Sequence, residues 1–509
     1  MRRRDFVRIA PAGALAGLLA QAGVRVVQAQ GMQALTIAFP HDVPTWDPIA
    51  FVRPHVTSLF KCVFDQPLEY NADSVLSPGV ITAYRWTDDS GLILELDFRD
   101  DVYFHNGDKF TSEDFKFTFL DRPRADKSLQ LGYVWGVITD IETPTPTKAI
   151  VHFSAPMVTA PQYLGFAGSF LVPKKYFEEV GKEAFIARPV GTGPYRLIAY
   201  EADSRMVLEA FEGYWGGVPS YKRVIIQIVK DSTARVSAVQ AGQVDLTYGV
   251  PMREAVRLGG LPNLTAELSA TVDTYIVHMA NHGVLQDRNV RLAMHHAIDK
   301  QALSKALFNN VAKPVHAPSP PGTPSYDDTF TFAYDPARAA ELLQASGYST
   351  EKPVAFTFYT TNGAQPSDFD LARALVQMWK RVGIEANLEV IDGPQFQMRA
   401  AAGEMDGPML WCWTNSSADP ELYSGSYLNP STIFSVWRSN DIKEKLDPLL
   451  VEVDYEKRIA QYKDFEAWVV GEGYSLPLLQ GVATVVRSNA VRGYVPFSNG
   501  WVLPAYWKA

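Results

Sequence analysis

A chain of 509 residues, 47% hydrophobic and 20% charged, has enough apolar side chains for roughly two to four domain cores, which excludes a disordered or low-complexity protein. Its formal net charge of −9 becomes more negative without residues 1–29, which excludes an electrostatic partnership with nucleic acid or an anionic membrane surface. With only Cys62 and Cys412 present, a disulfide framework is excluded too, and both thiols are read as free and buried.

In the first segment, Arg2, Arg3, Arg4 and Arg8 precede a mildly apolar run from Ile9 to Val27. Val27-Gln28-Ala29 has the small-x-small pattern of a cleavage site. The segment reads as an export signal cleaved near Ala29. Arg3-Arg4-Asp5-Phe6-Val7 is a twin-arginine arrangement, which predicts a folded, periplasmic product. Pro11, Gln21 and Arg25 break the run, so no membrane anchor is expected.

Leu35–Phe39 reads as a strand, closed by the proline-rich loop Pro40–Pro48, which carries Trp46. Leu92, Leu94, Leu96 and Phe98 alternate as a strand does, and Thr111-Ser112-Glu113-Asp114 is a capping box ahead of a helix. Residues 63–184 therefore read as a small α+β unit. From Val190 the pattern changes. Gly191-Thr192-Gly193-Pro194-Tyr195 leads into alternating strands, and Val224–Val229 is a nearly continuous apolar strand. Asp231 or Ser232 caps a helix carrying Val236 and Val239, and Val244–Tyr248 resumes as strand. Helices are predicted over 333–346 and over 441–471, the latter broken at Pro448, with a strand from Ser475 to Gln480.

Residues 352–419 hold the densest pattern. Val354–Thr360 alternates as a strand, and Leu371, Leu375, Met378, Trp379 and Val382 lie on one helix face that ends at Gly383. Ile384–Ile391 alternates again, Asp392 and Pro394 open a second helix, and Met409–Trp413 is a third apolar run. Crossovers of this length make the three strands parallel, so all finish at one edge, where open α/β sheets bind ligands. The finishing residues are small and polar: Thr361-Asn362-Gly363, Asp392-Gly393, and Thr414-Asn415-Ser416-Ser417. Any one of these is an ordinary turn, but their coincidence predicts a binding crevice.

Motifs for catalysis are missing: the chain has no P-loop, CxxC or G-x-S-x-G sequence. His295 and His296 are adjacent and face different ways, and His278 and His282 lie in a strand-to-loop segment, so neither pair is read as a metal site. Aromatic residues say more. Trp411 suits either sheet-on-helix packing or the crevice, whereas Trp413, beside Thr414 and Asn415, is read as a pocket wall. Trp46 and Trp135, both placed in loops, are candidates from the opposing side.

A set of motifs in order then points to a family. Ser77-Pro78-Gly79, Arg85-Trp86-Thr87, Leu96-Asp97-Phe98-Arg99 and Val102-Tyr103-Phe104-His105-Asn106-Gly107 come first, followed by Gly191-Thr192-Gly193-Pro194-Tyr195, Gly242-Gln243-Val244-Asp245 and Asn289-Val290-Arg291-Leu292-Ala293. Tyr334-Asp335-Pro336, Asp419-Pro420 and Trp437-Arg438-Ser439-Asn440 complete them. The chain resembles the extracellular solute-binding proteins of family 5, which serve ABC importers of dipeptides, oligopeptides, opines, glutathione and nickel. The resemblance implies an α/β, two-lobed periplasmic-binding-protein fold of type II, in its large three-domain variant, with parallel-sheet lobes. Lobe I would combine 30–62, 185–270 and 482–509, with 63–184 as its small subdomain, and lobe III would be 271–481. Strands near 274–279 and 475–486 would form the hinge.

The resemblance also implies a monomer that is not an enzyme, needs no cofactor or metal, and hands a small solute to membrane permease subunits. In peptide-binding members an Asp four residues before the proline of the Asp-Pro pair holds the ligand's ammonium. Here that position is Ser416, and a hydroxyl is a weaker partner for a desolvated cation than a carboxylate. Asp419 is read as a cap of the same loop. Plain peptides are therefore not the expected solute. A metal chelate on the same scaffold is the alternative, and an exported hydrolase is a third reading from another class.

Overall fold

The computed structural model describes residues 34–52, 56–166, 168–414 and 417–508. The expected export signal lies outside the described residues, as do Asn415 and Ser416. Among the described residues no helix is long and apolar enough to cross a membrane.

Ten strands form one mixed sheet. Their spatial order is Ile384–Val390, Val354–Thr360, Met409–Trp413, Leu264–His278, Ser475–Ser488, Leu246–Tyr248, Ala34–Phe39, Arg223–Ile228, Arg205–Ala210 and Tyr195–Glu201. Val354–Thr360 pairs in parallel with Ile384–Val390 and with Met409–Trp413. Ala34–Phe39 does the same with Arg223–Ile228 and Leu246–Tyr248. The two parallel units thus exist, but within one mixed sheet instead of two separate ones. The chain crosses between them once in each direction, so the strands that join them, Leu264–His278 and Ser475–Ser488, must be antiparallel.

Local signals explain the elements. Asp231 accepts from the Ala234 amide at 2.7 Å and Asp392 from the Gln395 amide at 2.7 Å, each capping the helix that follows. The Thr111–Asp114 capping box forms as well. Gly383 has φ +98°, and a Cβ there would lie 2.7 Å from the Ser349 carbonyl group, so this helix exit needs glycine. Leu371, Leu375 and Trp379 are buried together on helix Asp368–Lys380. The small unit carries a four-stranded antiparallel sheet, Ile81–Trp86, Ile93–Phe98, Lys148–Phe153 and Ile138–Thr145.

Buried side chains gather into two main cores. The first takes residues from Leu35 to Leu246 together with Val485, Val491, Val502 and Trp507, and the second takes residues from Met252 to Val482. The ladder between the two joining strands breaks its register between Ala270 and Thr274. Opposite the break stands Gly481, whose Cβ would lie 2.7 Å from Thr271 Oγ1 and 2.8 Å from Asp273 Cβ. A bulge with this close approach sits where the two cores meet.

Candidate functional site

The three parallel strands of the second core finish at a common edge, and the loops beyond them are held by specific bonds. The buried Asp368 accepts from Thr361 Oγ1 at 2.6 Å and from the amides of Gly363 and Gln365 at 2.9 and 3.1 Å. Tyr275 on the joining strand donates its hydroxyl to the Pro366 carbonyl of the same loop. One carboxylate therefore fixes a loop that would otherwise carry unpaired amides.

Trp411 and Trp413 lie on one face of Met409–Trp413, opposite Ile276 and Thr274 in the ladder. Trp411 packs on Phe396 with ring centroids 5.4 Å apart. A Cβ on Gly393 would come within 3.2 Å of the Trp411 ring, so glycine lets the Gly393–Ala402 helix start directly over the indole. Trp413 is half-buried and meets Tyr427 at 5.5 Å, Phe434 at 5.7 Å and His278 at 6.0 Å. Burial pushes the His278 imidazole down to about 3, so this ring is neutral and serves as packing surface. Thr414 is exposed just beyond the strand.

Asp419 is engaged elsewhere. It accepts from the Glu421 amide at 2.9 Å, which is a loop cap, and it also receives Arg458 at 2.7 and 3.2 Å. Trp46 and Trp135 lie in the first core. Trp46 packs edge-on against Phe60 and Tyr200 at 6.1 and 5.6 Å. Trp135 closes the short helix Leu131–Trp135 instead of lying in a loop, and its indole nitrogen donates to Ser169 Oγ at 3.2 Å. The structure thus groups Trp411, Trp413 and Thr414 on one strand end, with Asp419 in the loop that follows. It puts Trp46 and Trp135 among other aromatic partners.

Other residues at the junction carried no signal in the sequence. Tyr248 ends its strand stacked on Phe39 at 5.7 Å, and its hydroxyl is 3.6 Å from where a Cβ on Gly500 would stand. Burial, then the charge of Asp273 across the junction, pushes Tyr248 up to about 12. Asp273 is half-buried, and its Oδ2 accepts from Thr271 Oγ1 at 3.0 Å. A tyrosine of the first core and a carboxylate at the bulge therefore face one region. Cys62 and Cys412 are both free and buried, and no group of three or more potential metal ligands occurs among the described residues. A surface depression of about 600 Å³, lined by charged residues including Asp108, Lys109, Glu113 and Lys174, involves none of these residues.

Comparison with known proteins finds similar chains. Residues 75–435 match the family described as bacterial extracellular solute-binding proteins, family 5 middle. The heme-binding protein A of Haemophilus influenzae is 24% identical over 86% of this chain and 85% of its own. The di/tripeptide-binding protein 2 of Pseudomonas aeruginosa is 25% identical over 84% and 86%. Among solved structures, an ABC transporter-associated periplasmic binding protein from Helicobacter pylori in complex with a peptide superposes with a TM-score of 0.75. It is 22% identical and covers 93% of this chain and 97% of its own.

Proposed function

The chain belongs to the bacterial extracellular solute-binding proteins of family 5, and from that premise we propose that it captures a small polar or amphipathic solute in the periplasm and delivers it to the permease of an ABC importer. Peptide-like, opine and sugar-like molecules are the solute classes that fit. The observation that carries the reading is the junction itself. Two cores are joined through one antiparallel strand pair with a glycine-faced bulge, and a strand end bearing Trp413 and Thr414 finishes beside it. Such an arrangement closes by hinge bending, and periplasmic binding proteins are a standard example of that motion. The aromatic wall supplies contact area, and the polar loop ends supply orientation. Trp411, Trp413, Thr414, Asn415 and Ser416 are the residues proposed to line the solute.

Ser416 narrows the solute class, because the carboxylate that holds a peptide's ammonium in peptide-binding relatives is replaced by a hydroxyl. The test is a thermal-shift screen of unmodified di- and tripeptides beside N-blocked peptides, opines, sugars and metal chelates. A true solute at about 100 times its Kd adds about 2.7 kcal/mol, an easily read shift. Unmodified peptides are expected to give none. A clear shift with several of them overturns the argument from Ser416. Turnover of a solute found in the screen would instead favour an exported hydrolase.

A further inference from the structure

Apart from the crevice, a polar contact spans the two cores. Thr159 stands directly before the helix Ala160–Leu164, whose Ala160 and Leu164 belong to the first core. Its hydroxyl donates to Glu421 Oε1 at 2.9 Å, across 262 residues of sequence. Glu421 is held from the other side by Arg458, whose Nη1 is 3.1 Å from Glu421 Oε2 and whose Nη2 is 2.7 Å from Asp419 Oδ2. Arg458 lies on the helix Tyr455–Gly471, which places Tyr462 and Phe465 in the second core. Beside the contact, a Cβ at Gly91 would meet Val158 at 3.2 Å and Val453 at 3.3 Å, so the two surfaces fit closely there as well.

The geometry has a direct energetic meaning. Arg458 and Asp419 are each only 1% exposed and both lie on the second core's side, so their pair survives any separation of the cores. The Thr159–Glu421 bond cannot, because its partners belong to different bodies. A bond made in one conformation alone shifts the equilibrium by its full net worth. We propose that Thr159 and Glu421, the latter positioned by Arg458, form a latch that holds the two cores closed independently of the solute. The contact lies outside the residues proposed to line the crevice, so the latch sets how long the closed form persists and not which solute is chosen.

This inference rests on the proposal above that the two cores clamp a solute by hinge bending, and the experiment separates the two. Small-angle scattering is measured on the full chain, on Thr159→Val and Thr159→Ser, and on oxidised Thr159→Cys/Glu421→Cys as a locked reference. Cys62 and Cys412 are buried and do not compete for that disulfide. Valine keeps the outline of threonine, and the melting curve of each variant confirms that it is folded before its scattering is compared. Without added solute, Thr159→Val is expected to lower the closed-to-open ratio by up to about tenfold, the upper end of the net worth of one ordinary hydrogen bond, while Thr159→Ser matches the unaltered protein. Superimposable curves for the unaltered protein and Thr159→Val, both more expanded than the locked reference, overturn the latch. Identical curves for all four proteins, with and without a solute found in the screen, overturn the clamp itself.

Discussion

Replacing Arg458 by methionine is the sharpest test of how the second core is held. The guanidinium contacts Asp419 at 2.7 and 3.2 Å and Glu421 at 3.1 Å, with Arg458 and Asp419 each 1% exposed. Two carboxylates thus share one buried cation, and they draw the Arg458 guanidinium above its ordinary range against the cost of burial. Removing the cation strands Asp419 where water cannot reach it, which costs roughly 3–5 kcal/mol. Guanidinium-induced unfolding followed by tryptophan fluorescence reads the loss. A second change, Asp419→Leu in the Arg458→Met background, is expected to recover part of it, because an apolar pair replaces the buried Arg458–Asp419 pair while Glu421 keeps the Thr159 hydroxyl as a donor. Raising NaCl to about 0.5 M should leave the difference unchanged, since buried pairs are poorly screened. If Arg458→Met costs less than about 1 kcal/mol, or the double change is no better than the single one, the reasoning fails. The companion is Asp419→Asn: loss of solute binding with stability intact would show that Asp419 touches the solute.

Other perturbations probe separate features. Trp413→Ala should weaken binding of a solute found in the screen by roughly 2–4 kcal/mol by calorimetric titration, and the half-buried ring should cost the empty protein less than that; severe destabilisation with unchanged affinity would identify a packing residue. Glu466 is fully buried, and burial pushes its carboxyl up to about 7 against the donors Ser424 and Ser319. Its folded value lies above the unfolded value of ~4.3, so the stability it contributes is complete below that pH and is lost as pH rises through about 7. Glu466→Gln should flatten that fall, and an unaltered pH profile of the melting temperature would count against it. Gly383→Ala puts a Cβ 2.7 Å from the Ser349 carbonyl at φ +98°. It should cost at least ~1 kcal/mol in a denaturant titration, and a neutral result would deny the strain.

What could be read from the sequence was what local chemistry determines. The helix face of Leu371, Leu375 and Trp379 follows from spacing alone, and Asp392 announces its helix through a bond to an amide three residues away. The same holds for the shared strand edge, since crossovers long enough to hold a helix set the strands parallel. Partners distant in sequence were not legible. Nothing near Trp46 says that Phe60 and Tyr200 will enclose it, and a tryptophan in a proline-rich loop reads equally as wall or core. Asp419 is a cap by its neighbours, yet its second partner, Arg458, is 39 residues away on another helix. The bulge facing Gly481 depends on the register of two strands about two hundred residues apart, which periodicity does not record.

The way the chain returns through the sheet also sets the order in which the molecule can be made. Leu35 and Ile37 share a core with Val491, Val502 and Trp507, and Ser475–Ser488 lies between Leu246–Tyr248 and Leu264–His278. When a ribosome has released residue 470, the strand Leu246–Tyr248 still lacks one neighbour, and the pocket that Trp507 fills is still open. Domains usually fold as they emerge, but here the first core must wait for side chains translated more than two hundred residues after its own last internal strand. Ending synthesis before Val491 would therefore damage the part of the protein made first, and neither half can complete its fold in the other's absence.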